Sequence, residues 1–542
     1  MSAAAASASN AVTARSAGRA NAAVGGPPPR AAVNKWIIAC TVMFGTFIAV
    51  MDISVVNVAL PQMMGSFGVD LSAVTWVATS YSIAEIIMLS MAGWLSTLLG
   101  RKRLYMLSFA LFTVGSMLCG TATTFPQMLV YRVIQGIGGG TLIPVSQAIL
   151  REAFPDEELG MAMAVYSMGV VLAPAIGPVL GGWLTDVYGW PWIFYINVPV
   201  SIIGLVMVGA FVFDPAYLRR GVKSVDWVGI GLLAVMLTTM QVVLERGQEE
   251  NWFESRWIVI GTVVCVLSLV MLLIWEMSIS EPVVNFRLLK NVPLSLGTAL
   301  GLVFGVALFG TTFILPEYAQ DLLGYSAYDA GMLLLPRAIA LMAILPLAGA
   351  LYRYVDARIL CIFGCLVIGW SYWDLAQLSL DAGFWTIVPM LLIMGAGMPF
   401  MFVTMSAVSL STVPRADVTE ASSLYTLGRR VGGNIGYAIV ATLVARGEQM
   451  HRSDLASHVS VLNGTWHQTQ AHLTHALTSA GLNPTAVTAT QYGMVNKMLH
   501  SHATMLAYND VSWIFLIMFV CMIPFLLFMP GRPPKAAPQG GH

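Results

Sequence analysis

Apolar runs of about twenty residues, set apart by short polar or Pro/Gly-rich breaks, recur along almost the whole chain. About 20 such residues, wound as a helix, span a hydrocarbon core about 30 Å thick. Cutting at the breaks predicts fourteen spans. The first seven run Trp36 to Val58, Ser72 to Ser96, Leu104 to Gly120, Phe125 to Leu150, Gly160 to Leu184, Trp192 to Phe213 and Val225 to Leu244. The second seven run Trp257 to Trp275, Leu294 to Leu315, Ala327 to Leu351, Ile359 to Leu378, Phe384 to Leu410, Ser422 to Val444 and Val511 to Met529. Three segments fall outside the pattern: a tail over 1–35 rich in Ala, Ser, Gly and Pro, a long polar loop over 446–510, and a short tail over 530–542. The first tail has no apolar stretch of the kind a secretory signal needs, so it reads as a disordered tail.

Basic residues give the pattern a direction, because short cytoplasmic loops retain Lys and Arg. Arg15, Arg19, Arg30 and Lys35 precede the first span, Arg101 to Arg103 follow the second, and Arg219, Arg220 and Lys223 follow the sixth. Arg287 with Lys290, then Arg353 with Arg358, fall on the same side. Both termini are therefore expected in the cytoplasm, with loop 446–510 on the far face.

Composition narrows the class. Asp, Glu, Lys and Arg make up 10% of the 542 residues, where soluble proteins carry about 25%. A soluble enzyme is excluded, and the balance of 27 basic against 27 acidic residues leaves no excess to attract nucleic acid. No G-x-x-x-x-G-K-[ST] loop occurs, so a nucleotide is not the expected energy source. All six cysteines lie in apolar runs, which argues against a disulfide framework. Cys361 and Cys365 share a helix face but have no further ligands at metal spacing, and read as small buried hydrophobes. The far loop holds His451, His458, His467, His472, His475, His500 and His502. Without an acidic or Cys partner at ligand spacing, it reads as a solvated helical hairpin, and no metal site is expected. Asn463-Gly464-Thr465 matches a glycosylation sequon, which has meaning only in a secretory pathway.

Ionisable residues inside a span are costly, and they normally face a bundle interior or a watery cavity. Here they are Asp52 in span one, Glu85 in span two, Arg132 in span four, Arg337 in span ten, and Arg429 with Arg430 in span thirteen; Asp374 sits at the interface end of span eleven. A desolvated carboxylate titrates several units above its value in water, which lets it load and release a proton near neutrality. Asp52 and Glu85 are therefore the proton-carrier candidates, with Arg132 as the charge that clamps and releases them. The alternative for both is a permanent ion pair with Arg132 that only supports packing. Gly169, Pro174, Gly177, Pro178, Gly181 and Gly182 lie along span five, where small residues allow close helix approach and each Pro removes a backbone hydrogen bond. They describe a pliable gate helix, or ordinary small-residue packing. Gly432, Gly433 and Gly436 echo them, and Gly349-Ala350-Leu351 before Arg358 repeats Gly93-Trp94-Leu95 before Lys102. Two related halves imply alternating access.

Several of these residues fall into ordered motifs. Met51-Asp52-Ile53-Ser54-Val55-Val56-Asn57-Val58-Ala59-Leu60-Pro61 is followed by Trp76-Val77-Ala78-Thr79-Ser80-Tyr81, then by Gly93-Trp94-Leu95 through Gly100-Arg101-Lys102-Arg103. Arg132-Val133-Ile134-Gln135-Gly136-Ile137-Gly138-Gly139 and Gly177-Pro178-Val179-Leu180-Gly181-Gly182 come next. In this order they resemble the fourteen-span drug:proton antiporters of the major facilitator superfamily. Trp192 to Pro199, Leu244-Glu245-Arg246-Gly247 and Trp252-Phe253 narrow the resemblance to the Emr-type multidrug exporters, in their inner-membrane component.

The resemblance spans about Trp36 to Met529. It implies an all-α membrane protein of the superfamily fold, with two six-helix bundles over 36–213 and 292–529 and two additional spans within 214–291. It further implies proton-driven export of hydrophobic or amphipathic drugs across a bacterial inner membrane, with a periplasmic membrane-fusion adaptor and an outer-membrane channel as partners. No cofactor is expected beyond the proton gradient, and no enzymatic activity. Asp52, Arg132 and Glu85 take the proton-coupling role, Gly177, Pro178, Gly181 and Gly182 the antiporter motif, and Gly93, Gly100, Arg101 and Lys102 the cytoplasmic loop motif. Gln135 and Tyr318 are candidates to line a substrate cavity. The chain departs from the family at Thr97, where an Asp is usual, and at Glu85, where a small or amide residue is expected. An exporter of one endogenous metabolite, such as a fatty acid or siderophore, would keep every motif. A non-antiport facilitator would share the architecture, and a non-transporting receptor belongs to another class.

Overall fold

Long apolar stretches leave the backbone only its own hydrogen bonds, and the polar breaks supply the caps. The computed structural model describes residues 34–155, 158–214, 225–459, 464–479 and 484–531. Arg15, Arg19, Arg30, Arg219, Arg220, Lys223, the Asn463 side of the sequon and most of the 530–542 tail lie outside the described residues. Among those described, every regular element is helical.

The first half holds α1 (Lys35–Phe67), α2 (Leu71–Val74), α3 (Trp76–Leu99), α4 (Arg101–Gly120), α5 (Phe125–Gly139), α6 (Leu142–Ala153), α7 (Leu159–Tyr188), α8 (Trp192–Tyr195) and α9 (Asn197–Phe211). The inserted hairpin is α10 (Trp227–Arg246) and α11 (Arg256–Ser278). The second half holds α12 (Val292–Asp321), α13 (Ala327–Leu351), α14 (Ala357–Leu375), α15 (Phe384–Ser411), α16 (Val418–His458), α17 (Gly464–Ser479) and α18 (Pro484–Leu526).

Local chemistry sets the ends. The Asn34 side chain accepts from the Trp36 amide at 3.0 Å to start α1, and Asp226 accepts from the Gly229 amide at 2.8 Å to start α10. Gly100, at φ 85°, makes the single-residue turn between α3 and α4, a conformation that a side chain opposes.

Several expected spans differ in form. Span four breaks into α5 and α6 at Gly140-Thr141, and span six begins as the separate turn α8. The polar loop 446–510 is largely helix, because α16 and α18 run on past the apolar stretches that define their spans. Among the described residues, thirteen helical segments are long and apolar enough to cross a membrane, and α16 is not one of them. Its Arg429 and Arg430 lower its hydropathy, yet it packs against α12, α18 and α3 in the place of a span.

Helix partners repeat between the halves. α1 packs on α7 as α12 packs on α16, α3 on α5 as α13 on α15, and α4 on α9 as α14 on α18. Across the middle, α3 meets α16 while α7 meets α13. α10 lies beside the first of these two joints, touching both α3 and α16.

Candidate functional site

Asp52 lies halfway along α1 and is 1% exposed. Three side chains from two other helices converge on it. Arg132 of α5 donates from Nη1 to Asp52 Oδ2 at 2.6 Å. Gln135, one turn further along α5, donates from Nε2 to Oδ1 at 2.7 Å, and Asn197, at the start of α9, donates to the same oxygen at 3.0 Å. Arg132 Nη1 also donates to Gln135 Oε1 at 2.7 Å, which closes the ring. Ser116 of α4 accepts from Gln135 and Asn197, each at 3.3 Å, and donates to the Phe194 carbonyl at 2.8 Å.

Two features tie this network to α3. Arg132 Nε donates to the Val77 carbonyl at 2.9 Å, and its guanidinium lies 4.3 Å from the centre of the Tyr81 ring. Gly136 and Gly140 permit the contact, because a side chain at either would run into α3 backbone at Tyr81 or Glu85. A carboxylate with three donors is well held while ionised. Both partners are 1% exposed, and breaking a buried pair of this kind costs about 3–5 kcal/mol.

Glu85 does not join it. Of the two carboxylates set beside Arg132 by sequence, only Asp52 pairs with it. Glu85 accepts at 2.6 Å from Arg430 Nη2 on α16, in the other half.

The remaining sequence candidates are placed as follows. Gly177 and Gly181 of α7 sit on Ser54 and Val55 of α1, next to Asp52, whereas Gly182 meets only the Val58 side chain, at ordinary van der Waals distance. Pro178 faces Gly331 of α13. Gly93 packs on the Glu420 backbone of α16. Arg101 reaches across the halves, donating to Thr419 Oγ1 at 2.9 Å and the Arg415 carbonyl at 2.7 Å. Lys102 stays within its half, on the Gly209 carbonyl at 2.6 Å. Thr97, at the family's Asp position, bonds to the Gly93 carbonyl of its own helix at 3.3 Å.

Gln135 is part of the Asp52 network. Tyr318 lies away from it, on a cavity of about 30 Å³ shared with Tyr372, Tyr508 and Asn509. That volume holds about one water rather than a drug-sized molecule. Cys361 and Cys365 are buried, and His472 and His475 are exposed on α17. Sequence reasoning missed Asn197, Ser116 and the pairing role of Arg430. Asn197 carried a signal, as a lone amide in an apolar run.

Comparison with known proteins adds the lineage. Residues 42–437 match the family model described as Major Facilitator Superfamily. The multidrug export protein EmrB of Escherichia coli strain K12 is 30% identical over 506 residues, covering 93% of this chain and 97% of that protein. The fatty acid resistance protein FarB of Neisseria gonorrhoeae is 29% identical over 520 residues, covering 95% and 99% respectively. A crystal structure of a double-tryptophan XylE mutant superposes with a TM-score of 0.61 at 15% identity, over 92% of this chain and 97% of that one.

Proposed function

The chain belongs to the major facilitator superfamily as a proton-coupled multidrug exporter of the Emr type, and on that premise we propose how its residues perform the exchange. Asp52 carries the proton. Ionised, it holds Arg132, Gln135 and Asn197 in one arrangement of α1, α4, α5 and α9; protonated, it releases Arg132 and that arrangement loses its centre. The small residues Gly177 and Gly181 allow α1 and α7 to shift against each other as Asp52 changes state. A hydrophobic or amphipathic drug, bound between the halves, favours the ionised arrangement and so displaces the proton. The observation that carries this reading is the closed ring around the buried Asp52, formed within one half by groups that respond directly to its charge. A proton falling through about 150 mV releases roughly 3.5 kcal/mol, and each pH unit adds about 1.4, so one proton sustains a drug gradient of a few hundredfold or more.

The protein is a multi-pass protein of the bacterial inner membrane. Within it, both termini face the cytoplasm, by the distribution of Lys and Arg, and the extended ends of α16 and α18 project into the periplasm. There they face the membrane-fusion adaptor that the Emr type uses to reach an outer-membrane channel. The proton gradient is the sole energy source, without a bound cofactor, and the drug leaves chemically unchanged.

Proton release from purified protein on adding lipophilic cations, neutral drugs or anionic uncouplers tests the reading. Release and pH-driven export are expected to vanish in Asp52→Asn while the variant still inserts. Full export by that variant refutes the assignment.

A second reading has its own support. Arg337 and Arg429 each keep a buried Nη1 without a hydrogen-bond partner among the described residues, and FarB is a fatty acid resistance protein. An amphipathic acid, such as a fatty acid, is the substrate class that these cations would stabilise. Adding a fatty acid to the same proton-release assay separates it from the drug reading.

A further inference from the structure

Glu85 and Arg430 are the acidic and basic ends of an ion pair that joins the two halves near the middle of the helices. Glu85 is the tenth residue of the 24 in α3, and 345 positions separate it from Arg430. The carboxylate is 2% exposed and the guanidinium 18%. The other bonds from the N-terminal bundle to the second half lie toward the face where α1 begins. Among the described residues they include Arg101 to Thr419 and Arg415, Arg151 to the Ser411 carbonyl at 3.2 Å, Gln147, which accepts from Ser422 at 2.5 Å and Thr426 at 3.5 Å, and Tyr166 with Arg429. These bonds hold that face shut, and among the described ion pairs Glu85–Arg430 is the one that crosses between the halves deepest behind it.

The pair is also in register with the proton site. Val77, Tyr81 and Glu85 follow one another at four-residue intervals, and so lie along one stripe of α3. Arg132 holds the first by a hydrogen bond and the second by its ring. The charged groups that act on the Glu85 carboxylate are Arg430 on α16, Arg132 on α5 and Asp52 on α1. On the other elements packed against α3, Arg101 of α4 and Arg151 of α6 are engaged at the sealed face. Glu245 of α10 accepts from Thr79, toward the opposite end.

We propose that Glu85–Arg430 is a proton-released latch between the halves, through which protonation in the first half opens the sealed face. It deepens the exchange reading above and rests on it. While Glu85 is ionised, the pair holds α3 against α16 and the face stays shut. A proton on Glu85 removes the charge that neutralises Arg430, and the closed arrangement loses its central tie. Release of Arg132 by a protonated Asp52 loosens Val77 and Tyr81 on the same stripe, so the two protonations favour the same movement. The sign agrees with antiport: protons taken up from the far side open the near face, and their loss there, as drug binds, closes it again. The rocking of one half on the other breaks this pair but not Asp52–Arg132, which lies within a single half.

The test reads distance, not activity alone. Spin labels carried by noncanonical amino acids at the exposed positions Arg103 and Ala416 report the separation of the halves at the sealed face. In wild type the distribution is expected to pass from short to long as pH falls. Glu85→Gln is expected to be long at every pH, and the exchanged pair Glu85→Arg with Arg430→Glu to recover a short, pH-sensitive population. If Glu85→Gln follows the wild-type pH dependence, or if the exchanged pair behaves like the single variant, the latch is overturned. Should Glu85→Gln fail to fold, Glu85→Asp, one methylene shorter, is expected to shift the transition to higher pH; an unmoved transition also overturns the latch. Drug-linked proton release in Asp52→Asn is measured alongside. Its loss together with an unchanged Glu85→Gln distribution removes the latch and leaves the exchange reading standing, whereas wild-type export by Asp52→Asn removes the exchange reading itself.

Discussion

The two joints between the halves occupy matching places in the repeated architecture but differ in chemistry. At α3 and α16 the contact is polar: Glu85 meets Arg430, and Glu420 of α16, packed on Gly93, accepts at 3.0 Å from Asn285 in the connection after α11. At α7 and α13 it is made of small and apolar groups, with Gly160 against Tyr352 and Gly349, and Pro178 against Gly331. Eight residues before Gly93 stands Glu85; eight before Gly349 stands Leu341. Each of α7 and α13 carries two internal prolines, while α3 and α16 carry none. Among the described residues, no ion pair crosses the α7–α13 joint. A repeated scaffold thus supplies two joints, one able to respond to charge and one able to bend and slide. Coupling to protons requires only that one of them be electrostatic.

The largest effect is expected from obstructing the sliding joint. A Cβ at Gly349 would stand 2.9 Å from both the Ala164 Cβ and the Gly160 carbonyl, and 3.1 Å from the Met161 Cα, so backbone has to yield. Overpacking of this kind costs about 1–3 kcal/mol, or roughly 5- to 150-fold in the ratio of closed to open states. Gly349→Leu should therefore hold the α1 face open and suppress export. Its distance distribution should still move with pH, offset from wild type, because the polar joint is intact. A flat pH response in Gly349→Leu would break the division of labour between the joints.

A smaller effect is expected from the hairpin beside the polar joint. α10 is bonded to the first half through Glu245 with Thr79, and through Arg246, which donates to the Ser72 carbonyl and to Thr75 at 2.9 Å. It is bonded to the second half where Asn434 donates to Gln241, and where Trp252, just past its end, donates to Thr442 at 3.0 Å. A side-chain hydrogen bond between helices in a membrane contributes about 0.6 kcal/mol on average, or roughly threefold in an equilibrium. Asn434→Ala should change the export rate by about that factor and leave the pH of half-maximal export in place. A moved midpoint would mean that the hairpin helps set the proton response instead of merely bracing the joint.

The contrast between the joints was only partly legible in sequence, and the reasons are physical. Hydropathy located the spans because each must satisfy its backbone in lipid, and it was weakest at α16, whose two adjacent arginines reverse the usual signal. Asp52 with Arg132 was legible as a pairing of few charges in adjacent bundle helices. The partner of Glu85 was not. Arg429 and Arg430 are neighbours in sequence, yet they project about 100° apart on a helix, and the packing of α16 on α3 decides which one faces Glu85. Arg429 instead lies 4.6 Å from the centre of the Phe402 ring and bonds to Tyr166 of α7. Gln135 illustrates the converse error of reading a polar residue as cavity lining: its amide both donates to Asp52 and accepts from Arg132, a use that only the crossing of α1 and α5 reveals. Gly349 was legible as an echo of Gly93, and the structure gives the echo a meaning, because each glycine admits a helix of the opposite half.

The smallest effect should come from Asp70, outside the membrane at the far end of the polar joint. Its Oδ1 accepts from the Ala73 amide at 2.7 Å and the Ser72 hydroxyl at 2.9 Å, capping α2 just ahead of α3. The Ala73 amide first, and the Ser72 hydroxyl next, hold its pKa below the usual 3.8. With the folded value depressed, the stabilisation by its charge is complete above the unfolded value and is lost only as pH falls through the lowered folded value. Asp70 therefore stays ionised throughout the range in which export operates. Asp70→Asn, which retains an acceptor for the cap, should leave the pH profile of export and of the label distances superimposable on wild type. A profile displaced in this variant would place proton sensing at the mouth of the joint, and the electrostatic difference between the two joints would no longer depend on Glu85.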